Sequence, residues 1–153
     1  MASTTIANDL RTTLNVRSLD FDPDSASASF VTLNPAAAAS GLALGTYRKF
    51  FAQYRTMVGT GGITELSIGG ATAADGTGYV AAVTHALGSN PDAIGDYVSV
   101  ECTDEQIREV LSTATHVCVR VDLVTSTDEG NVTFIMADPL YGPTNSLTSD
   151  YVS

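Results

Sequence analysis

Few side chains in this sequence have the type and spacing that chemistry needs. His116 and Cys118 stand two positions apart in a run that alternates like a strand, so they share a face. A thiol beside an imidazole is the pairing of a nucleophile with its base, and a converging carboxylate would complete it. No Gly-x-Ser-x-Gly elbow offers a hydroxyl instead. The second histidine, His85, is far away in sequence, and neither histidine has a Cys or His at zinc spacing, which argues against a zinc site. Cys102 and Cys118 are too few for a disulfide framework. They fall on neighbouring predicted elements, so a pairing between them is open, and the simpler reading is two buried free thiols. Asp20, Asp22 and Asp24 open like a calcium loop, but the glycine and glutamate that an EF-hand wants are Ser25 and Val31 here. Only a looser divalent-ion site could use those oxygens. The glycine clusters (Gly59–Gly62, Gly69-Gly70, Gly76 and Gly78) lack the strand–loop–helix setting of a dinucleotide fingerprint and read as turns. The chain is therefore expected not to be an enzyme, with no catalytic, cofactor-binding or metal-ligating residue assigned.

The elements that must position these residues centre on Thr103–Pro139. Thr103 reads as an N-cap with Gln106 three residues on, a capping-box signature, and Asp104 and Glu105 suit the positive end of a helix over 103–113. Ile107, Val110 and Leu111 form one helical face. Next, Thr115–Thr125 alternates strictly, with Val117, Val119, Val121 and Leu123 inward and His116, Cys118, Arg120 and Asp122 outward. That outward face suits a second sheet contact or a neighbouring subunit. Ser126–Asn131 supplies a turn, and Val132–Ala137 returns as a strand until Pro139, which predicts a hairpin. Upstream, strands are expected over Leu14–Phe21, Ser29–Leu33, Ile63–Ile68, Tyr79–Leu87 and Asp96–Cys102, the last with Val98, Val100 and Cys102 inward. Tyr47–Val58 fits either a helix face or a two-faced strand, and its aromatic density and trailing Gly-rich turn favour strand. Ala36–Gly45 reads as an irregular surface loop, and Ala71–Gly78 as a mobile one. The sum is a mainly β chain: an antiparallel β-sandwich of about seven or eight strands with one short helix. An N-terminal arm over 1–13 and a polar C-terminal tail over 140–153 flank a single domain over 14–139.

Composition narrows the role. At 153 residues the chain is one domain by size, able to bury roughly 70% of its unfolded surface. The net charge is −10, with Lys49 the sole lysine, which disfavours nucleic acid and anionic membranes as partners. Tyr47–Arg55 gathers Arg48, Lys49 and Arg55 among aromatics, too little charge for a nucleic-acid platform, and reads as subunit or core-rim contact. No secretory signal and no apolar run of bilayer length is seen, so export by the general route is not expected. Charged residues make up only 16%, so the surface must be built largely from Ser, Thr, Asn and Gly.

Strand Val100–Cys102, the capped helix, His116–Val124, Val132–Met136 and Ala137–Pro143 together resemble an ending found in small virion structural proteins of tailed bacteriophages. His116 stands where that group carries an aromatic, and Leu140 where it carries an arginine. Phe50-Phe51 followed by Gly59-Thr60-Gly61-Gly62-Ile63-Thr64 is similar too, so the resemblance covers about 50–143. It implies a β-sandwich on the exterior of a capsid, made in the host cytoplasm, acting as a cement or decoration protein. Its implied partners are the major capsid protein and copies of itself, with a trimer one option. The arms 1–11 and 140–153 and the 36–45 loop are the parts expected to reach partners. A carbohydrate- or receptor-binding module is the alternative, for which only Tyr79, Tyr97 and Tyr141 could serve as platforms, since the chain has no Trp.

Overall fold

The computed structural model describes residues 14–21 (backbone course only), 28–34, 38–58, 62–86, 93–124 and 129–139. The arm over 1–13, the tail over 140–153 and the carboxylates of Asp20, Asp22 and Asp24 lie outside what is described. Among the described residues nine strands and one helix follow in order: β1 (Leu14–Phe21), β2 (Ser29–Phe30), β3 (Gly41–Ala43), β4 (Tyr47–Val58), β5 (Ile63–Ala71), β6 (Val80–Ala86), β7 (Tyr97–Thr103), α1 (Asp104–Val110), β8 (His116–Leu123) and β9 (Glu129–Pro139).

They form two antiparallel sheets, as the alternating patterns predict. One has the order β1-β9-β4-β7, and the other β2-β8-β5-β6 with β3 also on β8. β2 and β3 lie in series along one edge of β8, pairing Phe30 with Arg120 and Gly41 with Cys118, so together they act as one interrupted strand. Counted that way the first strand pairs with the last (β1·β9), the second with the seventh (β2/β3·β8), the third with the sixth (β4·β7) and the fourth with the fifth (β5·β6). This is one long antiparallel ribbon rolled up on itself and closed by β4·β9 and β5·β8. A ribbon so wound is the jelly-roll form of the β-sandwich.

The inward rows of the two sheets make one core. From the first sheet come Phe50, Ala52 and Tyr54, Val98, Val100 and Cys102, and Val132, Phe134 and Met136. Leu66, Ile68, Val117, Val119, Val121 and Leu123 face them from the second. Phe50 and Phe134 stack with centroids 6.2 Å apart. β4 is a strand, as its aromatic density favours, because alternate residues Phe50, Ala52, Tyr54 and Thr56 all enter this core.

The predicted hairpin does not form. β8 and β9 are consecutive, both are core-facing, and they lie in opposite sheets. Strict alternation fixes which face a strand buries, and that condition is met equally by facing a partner across the core or by pairing beside it.

The helix is shorter than 103–113. Thr103 caps it with the full reciprocal box: its Oγ1 accepts from Gln106 N at 3.2 Å, and Gln106 Oε1 accepts from Thr103 N at 2.9 Å. Leu111 is already the C-cap. Ile107 is fully buried and Leu111 packs against the core, but Val110 is exposed. Gly70 permits this seating. A β-carbon there would lie 2.7 Å from Ile107 Cγ2 and 2.8 Å from Ala114 Cβ, so Gly69-Gly70 belong to β5 as a close-approach site and not to a turn.

Candidate functional site

The residues singled out as chemistry lie on the outer face of the second sheet, and that face is not bare. Phe30, Arg120 and Ser67 form one cross-strand row. Over it lies Tyr79, at the end of the 72–79 loop. Its hydroxyl meets Ser67 Oγ at 3.0 Å, its ring edge meets Phe30 at 5.1 Å, and the Arg120 guanidinium sits 5.2 Å above its face. Arg120 Nη2 also donates to Glu65 Oε1 at 3.0 Å. Burial pushes the Tyr79 phenol up to about 12, partly offset by the Ser67 hydrogen bond and by Arg120.

The 72–79 loop is held in place where a mobile loop is expected from its composition. Thr72 N donates to Thr77 O, Thr77 N to Asp75 Oδ1 and Tyr79 N to Gly76 O, while Gly41 N reaches Ala74 O at 2.8 Å. The 36–45 stretch is likewise more than a surface loop, because Gly41–Ala43 joins the sheet as β3.

This layer decides what His116 and Cys118 can do. Cys118 is fully buried on the face expected to be outward, in a slot between Gly41 and Gly69. A β-carbon on Gly41 would lie 2.8 Å from its sulfur. Burial first, and the nearby Asp75 carboxylate second, push its thiol up to about 12. His116 is half-exposed and its Nδ1 meets Thr115 Oγ1 at 2.8 Å. Asp75 lies near enough to act electrostatically on both, yet its carboxylate is held below the usual range mainly by hydrogen bonds from Thr77. Thiol, imidazole and carboxylate thus share a neighbourhood with the thiol sealed and protonated at neutral pH, so no thiolate nucleophile is presented. Cys102 belongs to the other sheet, is also buried and free, and has a thiol pushed up to about 12 by burial. The two cysteines do not pair. His85 is exposed on β6. Among the described residues no three His, Cys, Asp or Glu side chains converge to hold a metal ion.

Two open features occupy the first sheet. A cleft of about 520 Å³ lies at the β7–α1 corner, lined among others by Lys49, Phe51, Glu101, Gln106, Ile135 and Ala137. Sequence alternation puts Lys49 and Phe51 on one face of β4, but the cleft needs β9 beside β4 and α1 beyond β7, which no local pattern discloses. At the far end of the same sheet Met57, Val58, Ile94 and Tyr97 form an exposed apolar rim, with Ile94 75% and Tyr97 67% exposed. Gly95 N donating to Thr56 O and Thr56 N to Asp96 O tie the two segments together there.

No protein-family model and no curated protein matches the chain. Among solved structures, a protein of Bacillus endospore appendages, from a family of disulfide-linked pili, is similar at 15% identity and TM-score 0.35, over 83% of this chain and 90% of that one. A chain of deformed wing virus, a honeybee pathogen, is similar at 9% identity and TM-score 0.40, over 100% of this chain and 54% of that one. A chain of T=1 particles derived from infectious bursal virus is similar at 10% identity and TM-score 0.21, over 86% and 45%. At TM-scores below 0.5 these likenesses are remote and say nothing of role.

Proposed function

We propose that this chain is a virion structural protein, and within that class a capsid cement or decoration protein that bridges major-capsid subunits from outside the shell. The observation that carries the reading is the strand order. A ribbon paired first with last is the jelly roll, an architecture used for capsid and lectin domains. Fold alone does not set function. The second support is the resemblance to tailed-phage virion proteins, whose quoted residues fall on β4, β5, β7 to β9 and α1. The exposed rim of Met57, Val58, Ile94 and Tyr97 supplies apolar area for a partner to cover.

In this reading each copy covers a modest patch, on the order of 800 Å² per partner for a standard interface. Many copies then add contact area across the joints between capsid subunits, and the shell gains resistance to internal pressure by their number. Neighbouring copies of the chain are partners too, in a homo-oligomer for which a trimer is one option. The test is whether the protein sediments with intact virions at many copies per particle, and whether Ile94→Asp with Tyr97→Ser lowers occupancy on purified heads. Absence from virions, or unchanged occupancy of the double variant, would sink the corresponding part.

A carbohydrate- or receptor-binding module remains the second reading, because jelly rolls also serve as lectins. Tyr79 is committed to Phe30, Ser67 and Arg120, which leaves Tyr97 as the exposed tyrosine platform among the described residues. Specific signal on a glycan array, abolished by Tyr97→Ser, would favour it.

A further inference from the structure

We infer that β6 is a self-association edge, where a second copy of this chain adds its own β6 antiparallel across a two-fold axis at Thr84. Among the described residues the two sheets have four edges, and three are guarded against an added strand by charge, interruption or cover. β1 carries Arg17 and Asp20. β2 and β3 are two and three residues long, and the 72–79 loop covers that edge, with Gly41 N donating to Ala74 O at 2.8 Å. β7 holds the exposed Glu101 and runs straight into α1. β6 has none of these guards. Val80–Ala86 contains no Asp, Glu, Lys, Arg or Pro, and none of its residues is buried. Among the described residues it pairs with β5 alone, so its other edge has no strand beside it.

Charge and register name the occupant. In a chain of net charge −10, like charge repels a second copy from most of the surface. At β6 two copies meet without opposing carboxylates, because the acidic residue in register with it, Glu65 opposite Ala86, is already paired with Arg120 at 3.0 Å. An edge that pairs with itself is isologous, each copy supplying the same donors and acceptors. Ile68 pairs with Val83 and Gly69 with Ala81, which leaves Ala82 as a bulge and Val83–Ala86 as the regular run. Opposite residues of a continuous sheet share a face, so the axis passes through a residue of that run. At His85 it would set two imidazoles against each other. At Thr84 it sets Thr84 against the partner's Thr84 and Val83 against the partner's His85, both compatible cross-strand pairs. So short an overlap falls below the ~800 Å² per partner of a standard interface, and the contact fills only where copies are crowded. It gives a surface to the self-contact in the proposed function, yet it is tested on free protein and fails or stands apart from the capsid role.

Thr84 and Ala86 are both exposed, and Cys102 and Cys118 are buried, so single introduced cysteines report the register without disturbing the core. In Thr84→Cys the two new thiols stand on Cα atoms about 4.5–5.5 Å apart across the axis, inside the ~4.4–6.8 Å that a disulfide spans. In Ala86→Cys they stand four residues apart along the strands, about 13 Å, too far to join. With copper phenanthroline and dissolved oxygen as oxidant, Thr84→Cys should therefore form the linked dimer at least about 10-fold faster than Ala86→Cys. Sedimentation velocity of the parent over a concentration series should show the mean mass rising, and Thr84→Lys, which sets two like charges opposite each other at an exposed position, should abolish the rise. Equal linking rates for the two cysteine variants overturn the inference, because linking is then random collision. A parent that stays monomeric at every concentration, or a Thr84→Lys protein that associates like the parent, overturns it too.

Discussion

Substituting Gly70 by alanine tests the packing of helix on sheet at its tightest point. The added methyl would lie 2.7 Å from Ile107 Cγ2 and 2.8 Å from Ala114 Cβ, about 1 Å inside the ~3.5–4.0 Å optimum for carbon pairs. Ile107 is fully buried and Ala114 nearly so, so neither can swing aside, and the whole of α1 must lift. Overpacking of this kind costs about 1–3 kcal/mol, against a gain of about 0.4–1 kcal/mol from stiffening the unfolded chain. The net expectation is a loss of about 1–2 kcal/mol, or roughly 3–8 °C in melting temperature for a domain of this size. Urea unfolding of Gly70→Ala, Ala114→Gly and the double variant provides the assay, because removing the Ala114 methyl relieves half of the clash. A coupling of about 1 kcal/mol is expected. Strict additivity, or a Gly70→Ala protein as stable as the parent, would refute the reasoning.

Thr103→Ala removes one arm of the capping box and should cost about 1 kcal/mol, read by the same unfolding curve; Gln106→Ala should take less, since it leaves the Thr103 hydroxyl on the helix N-terminus. Tyr79→Phe keeps the ring between Phe30 and Arg120 and loses only the Ser67 hydrogen bond, about 1 kcal/mol, whereas Tyr79→Ala should also raise amide exchange through 72–79. The Cys102 and Cys118 thiols and the Tyr79 phenol are all raised to about 12 by burial. Each is an acid that the unfolded chain gives up more readily, so their contribution is whole below pH 9 and is lost as pH climbs from 9 toward 12. The two thiols alone set a slope of about 3 kcal/mol per pH unit within that window, and Cys118→Ala should flatten it. In the native protein at pH 8 both thiols should resist a disulfide reagent that labels them at once in urea; rapid native labelling would contradict the sealed slot between Gly41 and Gly69.

Much of this architecture is legible in the sequence because its strands bury one face each. Val98, Val100 and Cys102, and likewise Val117, Val119, Val121 and Leu123, read directly as core rows, and Thr103 with Gln106 marks the start of α1 by residue type and spacing alone. What alternation cannot carry is the partner. β8 and β9 look like a hairpin and stand on opposite sides of the core. Glycine misleads in a related way: Gly69-Gly70 resembles a turn, but the residues are small because Ile107 and Ala114 press on them from another part of the chain. The outer-face cluster escapes notice for the same reason. Arg120 and Ser67 are neighbours through β5·β8 pairing, and the tyrosine that closes over them arrives from a loop whose composition suggests mobility. Local pattern reports burial, and long-range register decides which buried or half-buried groups meet.

The pairing of the first strand with the last has a temporal consequence. Leu14 bonds opposite Ala137, so β1 emerges early in synthesis and must wait for 123 further residues before its partner exists. At ~5–20 residues per second that is roughly 6–25 s, during which β1 has no native sheet to join. β4 waits as well, since β9 also closes its far edge. The sandwich therefore cannot be laid down strand by strand as it is made. Its ribbon closes late and nearly at once, in the millisecond-to-second range expected of non-local β topologies. A chain cut anywhere before β9 is left with two open sheet edges, and its hazard is aggregation.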